Sequence, residues 1–265
     1  MRFLPALLLL LILPVLSGCA SAPLHPATAA FVDREVRVDG GLHRYQVFVP
    51  ARAATTARPP VIVFLHGSGE RGDDNRRQVA VGLGPHVRRH MADFPAIVVF
   101  PQAPDGSEWS DNTGLVLAAL DAAIAEFDGD ASRVYLTGMS MGGYGTWELA
   151  VREPGRFAAL VPVCAGVTSP GARRPTLRVT AVDGASDPFA AVAGRVKDIP
   201  VWIFHGAKDD LVLPEQSRRM HAALQAAGAR DPRYTEFPDA NHNSWDPAYS
   251  HTPELWEWLF AQRRR

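Results

Sequence analysis

Five short stretches of this sequence are apolar almost from end to end: residues 61–65 (VIVFL), 96–100 (AIVVF), 134–137 (VYLT), 159–163 (ALVPV) and 201–204 (VWIF). A strand with one wet face alternates polar with apolar residues. Runs without that alternation belong to strands covered on both faces, the condition of a parallel sheet. Stretches of helical period separate them, at 115–127, 141–151, 215–227 and 253–261. In the first, Leu115, Ala118, Ala119, Ala122 and Ala123 form the apolar stripe and Asp128-Gly129 stops it, while Gly228 closes the third. Residues 36–38 and 45–49 alternate as half-buried antiparallel strands do, and 234–237 make a weaker last strand. The expectation is an α/β fold over residues 34–265, with a mostly parallel central sheet and helices on both faces. Residues 167–190 are the least regular part and read as an insertion over one end of the sheet.

Gly138-Met139-Ser140-Met141-Gly142 follows the third apolar run directly and opens a helical stretch. Between a strand and a helix, G-x-S-x-G marks a turn so tight that the serine sits at strained dihedrals and its neighbours two residues away must lack side chains. The hydroxyl then stands above the sheet, at the positive end of the helix. Such a serine needs a base that a third group orients. The expected chain order is serine, acid, histidine. Four histidines follow Ser140. His205 ends a strand and suits packing, and His221 lies mid-helix. His242 lies in the polar loop DANHNSW after the last strand, where a catalytic imidazole belongs, whereas His251 enters the final helix. The acid is sought in the loop after 201–204, where Asp209 and Asp210 both qualify and spacing from the strand end favours Asp209. Carboxylates before a helix also serve as caps.

The turn after residues 61–65 reads HGSGERGDDN, whose glycines let backbone amides approach a reacting carbonyl. Taken together, LHGSGERGDDN, GMSMGG, HGAKDDLV and NHNSWDPAY resemble the α/β-hydrolase superfamily. Within it they are most similar to secreted bacterial serine esterases related to polyhydroxybutyrate depolymerases, feruloyl esterases and the phospholipase/carboxylesterase group, some of them labelled predicted peptidases. The resemblance covers residues 34–262, with 167–190 matched least. It implies the α/β-hydrolase fold, Ser140 as nucleophile, Asp209 as acid and His242 as base. It also implies the main-chain N–H groups of Ser68 and Met141 as oxyanion donors. Dienelactone hydrolases share that fold but carry cysteine at the elbow, where this chain has serine. Trp109 and Trp245 are candidates for the wall of an acyl or alcohol pocket. Cys164 reads as a small buried hydrophobe. His242 and Asp246 have no clustered companion, so neither a metal nor another cofactor is expected.

Lys and Arg number 27 against 28 Asp and Glu, which leaves no cationic excess for nucleic acid, and none is expected as a partner. Near the start, Arg2 precedes an apolar run over residues 3–16 that is short of the roughly 20 residues of a membrane span. A charged start, an apolar middle and the small pair Ser17-Gly18 make a secretory signal. Leu16-Ser17-Gly18-Cys19 resembles the bacterial lipobox, which implies a signal peptide over 1–18, lipidation of Cys19 and a tether over 19–33. Ala20 after the cysteine implies the outer membrane. The expected protein is exported and held at the envelope membrane by its lipid alone. Cys164 is then the one thiol left, so no intramolecular disulfide is expected.

The expected activity is hydrolysis of a small-molecule or polymer-derived carboxylic ester through an acyl-enzyme. A serine peptidase of the prolyl-oligopeptidase type would use the same triad, but no propeller pattern accompanies it in this sequence. A surface lipoprotein that binds without cleaving would be marked by a lost triad position, and none is lost. On the lipobox reading, Cys19→Ser abolishes incorporation of labelled fatty acid and leaves the activity of exported, folded protein intact. Wild-type protein that takes up no label and is cleaved elsewhere overturns it.

Overall fold

The computed structural model describes residues 26–55, 58–172 and 174–264. The expected signal peptide, Cys19 and the first part of the tether lie outside the described residues. Eight strands form one sheet in the order β1 (Ala30–Val38), β2 (Gly41–Val49), β4 (Ile97–Pro101), β3 (Val61–Leu65), β5 (Val134–Met139), β6 (Ala159–Val163), β7 (Val201–Gly206) and β8 (Pro232–Phe237). The β1–β2 and β2–β4 pairs are antiparallel and the others parallel. The unbroken apolar runs are explained by two cores. In β3, Val61, Val63 and Leu65 enter one hydrophobic cluster, and Ile62 and Phe64 enter the other. Helices α2 (Thr113–Glu126), α3 (Met141–Arg152), α4 (Pro188–Val196) and α5 (Glu215–Ala226) supply the first cluster. Helices α1 (Leu83–Arg89), α6 (Trp245–Ser250) and α7 (Pro253–Phe260) supply the second.

Several boundaries differ from the sequence expectation. The sheet begins at Ala30 rather than after residue 33, because β1 pairs residue by residue with β2 from Ala30↔Val49 to Val38↔Gly41. Phe31 adds ring contacts to Phe48 at 5.3 Å and Phe100 at 5.9 Å. The polar run Asp33-Arg34-Glu35 conceals this strand, since an edge strand need not be apolar. The buried face of α2 is Leu115, Val116, Ala119, Leu120 and Ala123, with Ala118 and Ala122 only half-buried. The helix is turned so that Val116 and Leu120, larger than alanine, face the sheet, which buries more apolar area. Residues 167–190 are not a mere cover. They bury Val167, Leu177, Val179 and Val182, contain the 3₁₀ turn Thr180–Val182, and lead into α4. There Asp187 accepts from the Phe189 and Ala190 amides and Pro188 takes the first helical position.

The junction of β5 and α3 carries the tightest backbone. Ser140 joins them at φ 52° and ψ −118°, a region non-glycine residues rarely occupy. A Cβ on Gly138 would stand 2.3 Å from the Gly142 carbonyl oxygen, and one on Gly142 would stand 1.9 Å from the Leu65 carbonyl oxygen. Glycine at both places therefore lets α3 start against the ends of β3 and β5. From there α3 is buried from Met141 to Val151, so it cannot shift outward to make room. Gly142→Ala should cost about 3 kcal/mol or more by overpacking, measured by urea denaturation. Gly155→Ala, where a Cβ meets nothing within 4 Å, serves as the control and should change stability little. Equal stability of the two variants would mean that the junction has slack.

Candidate active site

Three carboxyl-end segments of the sheet meet at one point. Ser140 follows β5, Asp209 follows β7, and His242 follows β8. Ser140 Oγ lies 2.9 Å from His242 Nε2, and His242 Nδ1 lies 2.8 Å from Asp209 Oδ2. Asp209 can only accept, so the proton sits on Nδ1 and Nε2 is left to accept from the serine hydroxyl. The carboxylate is itself fixed from all sides. Its Oδ1 accepts from the Leu211 and Val212 amides, both at 3.0 Å, and its Oδ2 also lies 3.1 Å from His205 Nε2. Burial alone would raise this carboxyl. Hydrogen bonds from His205 and His242 instead hold it well below the usual carboxylate range.

The alternatives separate on geometry. Asp209 is 3% exposed and faces the imidazole, whereas Asp210 is exposed at the mouth of the neighbouring cavity. His251 is exposed and closes α6, and His221 contacts the Pro232 carbonyl. His205 does more than pack. Its Nδ1 bonds Ser217 Oγ at 2.7 Å and its Nε2 bonds the Val212 carbonyl at 2.8 Å, so it ties the loop that presents Asp209. The Ser140 amide donates to the Val163 carbonyl at 3.0 Å and lies 3.2 Å from Cys164 Sγ. Burial pushes the Cys164 thiol far up, which keeps it neutral beneath the serine.

Ser68 opens the 3₁₀ turn Ser68–Glu70, and Met141 opens α3. The first N–H groups of a helix have no partner within it, so both amides are left to an acceptor from outside their helices. A cavity of about 570 Å³ lies beside Ser140, with Gly67, Ser68, Leu177, Leu211 and His242 also in its wall. Trp245 also lines it and meets the His242 ring edge-to-face at 5.7 Å. Trp109 does not. It is 1% exposed, its Nε1 donates to the His66 carbonyl at 3.0 Å, and its ring packs against the His66 ring. The reading of Trp109 as a pocket residue is therefore corrected. Its place after β4 put it near the site, but the small Gly145 on α3 draws it inward, where a Cβ at that glycine would come within 2.6 Å of the Trp109 Cβ. The irregular stretch 167–190 supplies a wall that sequence reading did not assign, through Pro170, Leu177 and Arg174. Among the described residues no group of three or more His, Cys, Asp or Glu side chains is arranged to hold a metal, and both ring nitrogens of His242 are engaged.

Residues 43–232 match the family described as esterase PHB depolymerase. The chain belongs to that family. Among solved structures, a thermostable esterase is 33% identical with a TM-score of 0.71, over 88% of this chain and 63% of that one. The bifunctional acetylxylan esterase/xylanase XynS20E of Neocallimastix patriciarum is 25% identical over 80% of this chain and 29% of its own length. Feruloyl esterase B of Thermothelomyces thermophilus is 29% identical over 64% of this chain and 65% of its own. The chain thus spans less than two thirds of each of these relatives. Its architecture is the α/β-hydrolase fold, as the sequence implied.

The glycine turn of this esterase-family chain rests on a neutral histidine. His66 Nδ1 donates to the Gly67 carbonyl at 2.6 Å and its Nε2 accepts from the Ala103 amide at 3.0 Å. Burial pushes its pKa down to about 4. The unfolded chain, with an ordinary imidazole, binds more protons between pH 6.5 and 4, so stability falls as pH drops through that window. The loss attributable to His66 is about 3 kcal/mol, and His86, lowered to about 4 chiefly by burial, adds a term of the same sign. Denaturation between pH 7 and 4 should show this slope. His66→Gln, less stable at neutral pH, should show a flatter one; an unchanged slope would mean that His66 does not titrate there.

Proposed function

We propose that this protein is a serine hydrolase of carboxylic esters that works through an acyl-enzyme. The observation that carries the reading is the pair of hydrogen bonds centred on His242, 2.9 Å to Ser140 Oγ and 2.8 Å to Asp209 Oδ2. As Ser140 Oγ attacks the ester carbonyl, its proton passes to His242 Nε2. Asp209 stays ionised and stabilises the imidazolium. The Ser68 and Met141 amides receive the oxyanion, each such donor contributing about 3–4 kcal/mol in a comparable hydrolase. His242 then protonates the leaving alcohol, and a water activated by the same imidazole releases the acid. Membership in the esterase family and the likeness to a thermostable esterase support the ester over the peptide bond.

The substrate is a small or polymer-derived ester that fits beside Leu177, Leu211 and Trp245. The sequence Leu16-Ser17-Gly18-Cys19 supports export, lipid attachment at Cys19 and anchoring at the outer membrane, with a tether ahead of the hydrolase domain. An organophosphonate probe should label Ser140 covalently, and Ser140→Ala and His242→Ala should abolish labelling while His251→Ala labels normally. Asp209→Asn should lower turnover by about 10⁴, since an amide no longer favours the correct tautomer. Asp210→Asn should retain most turnover. Ester hydrolysis at the wild-type rate in Ser140→Ala would rule the mechanism out, and a folded wild type that neither labels nor hydrolyses any ester would favour a binding module.

A further inference from the structure

The turn that presents the Ser68 amide is weakly held by itself. Its one internal backbone bond, from the Glu70 amide to the Gly67 carbonyl, is 3.4 Å long. Glycines stand at 67, 69 and 72, and a Cβ at Gly69 would meet nothing within 4 Å. Its far end is tied to the core: Gln102 Nε2 donates to the Glu70 carbonyl at 3.0 Å, and the Gly72 amide donates to the Ala103 carbonyl at 3.0 Å. At the near end His66 Nδ1 donates to the Gly67 carbonyl at 2.6 Å, and the Ser68 side chain is held from across the cavity. Arg174, in the irregular stretch 167–190, donates from Nη1 to Ser68 Oγ at 2.9 Å and from Nη2 to Glu108 Oε1 at 2.9 Å. The other Glu108 oxygen lies 2.8 Å from Arg71 Nη2. Glu108 is nearly buried and Arg174 about one third exposed, so the carboxylate fixes the guanidinium rather than the reverse.

The geometry points to Arg174 as a positioning residue for the reaction proposed above: through Ser68 Oγ it holds the Ser68 amide where the oxyanion forms, and Glu108, braced by Arg71, holds Arg174. The inference rests on that reading of the site. Two guanidiniums around one carboxylate also leave one positive charge uncompensated by Glu108, and a guanidinium keeps its charge at any working pH. That charge offsets Glu70, which lines the same cavity. A lysine cannot reproduce the arrangement, because its single ammonium has no planar fork to span Ser68 and Glu108.

The test uses the wild-type protein with Arg174→Met, Arg174→Lys, Ser68→Ala and the Arg174→Met/Ser68→Ala pair. Each is assayed on a p-nitrophenyl ester and against a trifluoromethyl ketone. The ketone adds reversibly to Ser140 Oγ, whose proton passes to His242, and so places an oxyanion in the hole. The matching methyl ketone, which resists addition, is the ground-state control. Arg174→Met should lower kcat/KM by about tenfold to a hundredfold, less than loss of a whole oxyanion donor. The trifluoromethyl ketone should weaken by the same factor and the methyl ketone by less than about twofold. Ser68→Ala, which keeps the amide and removes only the hydroxyl, should show a similar loss, and the pair should be no worse than Arg174→Met alone. Arg174→Lys should recover only part of the loss, and it carries the test if the methionine variant fails to fold.

Additive losses, equal weakening of both ketones, or wild-type kinetics in every Arg174 variant would each overturn the inference. In those cases hydrolysis still depends on Ser140 and the parent reading stands. A wild type whose ester hydrolysis survives Ser140→Ala fails the parent reading instead.

Discussion

The contact between the first turn of α3 and the end of β3 is the constraint on which the rest of the active edge depends. Gly142 approaches the Leu65 carbonyl so closely that no side chain fits, and the His66 carbonyl is the next neighbour. That approach forces the chain to turn from β5 into α3 within a single residue, which is why Ser140 is held at φ 52°. It also fixes the distance between two backbone segments that are far apart in sequence: the glycine turn after β3 and the start of α3. The two candidate oxyanion amides, Ser68 and Met141, belong to those two segments. A looser junction would relieve the strain at Ser140 and separate the amides together. Strain at one residue is thus retained because the packing around α3 over-determines it.

A second feature follows from where charge is placed. The imidazole of His242 is half-buried and, on the proposed mechanism, carries a proton during turnover, which calls for an anion that stays ionised despite burial. Asp209 meets that need with two backbone amides on one oxygen and two imidazoles near the other. His205 is the less obvious member. It reaches across the β7–α5 loop to the Val212 carbonyl and to Ser217, and so stiffens the loop that aims the carboxylate. The glycine turn uses the opposite device, a histidine kept neutral by burial so that one nitrogen donates and the other accepts. Two buried histidines near the sheet's active edge therefore serve as structural braces, one for each side of the site.

How much of this was legible in the sequence depends on whether the signal was local. The parallel strands were, because burial on both faces leaves an unbroken apolar run, and the elbow was, because glycine spacing and its place after a strand coincide. His242 was legible from chain order and its polar loop. Asp209 and Asp210 are adjacent in one loop, and only spacing favoured the first; the separating fact is which carboxylate turns inward. Trp109 was misread because a tryptophan near the active edge looks alike whether it faces the cavity or packs on α3, and only the missing side chain at Gly145 tells them apart. β1 was cut short at its polar residues. Arg174 gave no local signal at all, since its partners Ser68 and Glu108 lie 106 and 66 residues away.

That last case shows how the molecule divides its work. The sheet, α3 and the loops after β5, β7 and β8 place Ser140, Asp209 and His242 with short contacts from the ordered core. The stretch 167–190 is anchored from both ends, by Gln216 Oε1 on the Val167 and Thr168 amides and by Asp187 at the cap of α4. Between those anchors it lays Pro170, Leu177 and Arg174 against the cavity. Of these, Leu177 belongs to the first core, whereas Pro170 and Arg174 are half-buried and can change without disturbing either core. Pocket shape can therefore diverge there while the triad geometry stays fixed. The Arg174–Ser68 bond limits that freedom at one point, because it couples the variable wall to the glycine turn after β3.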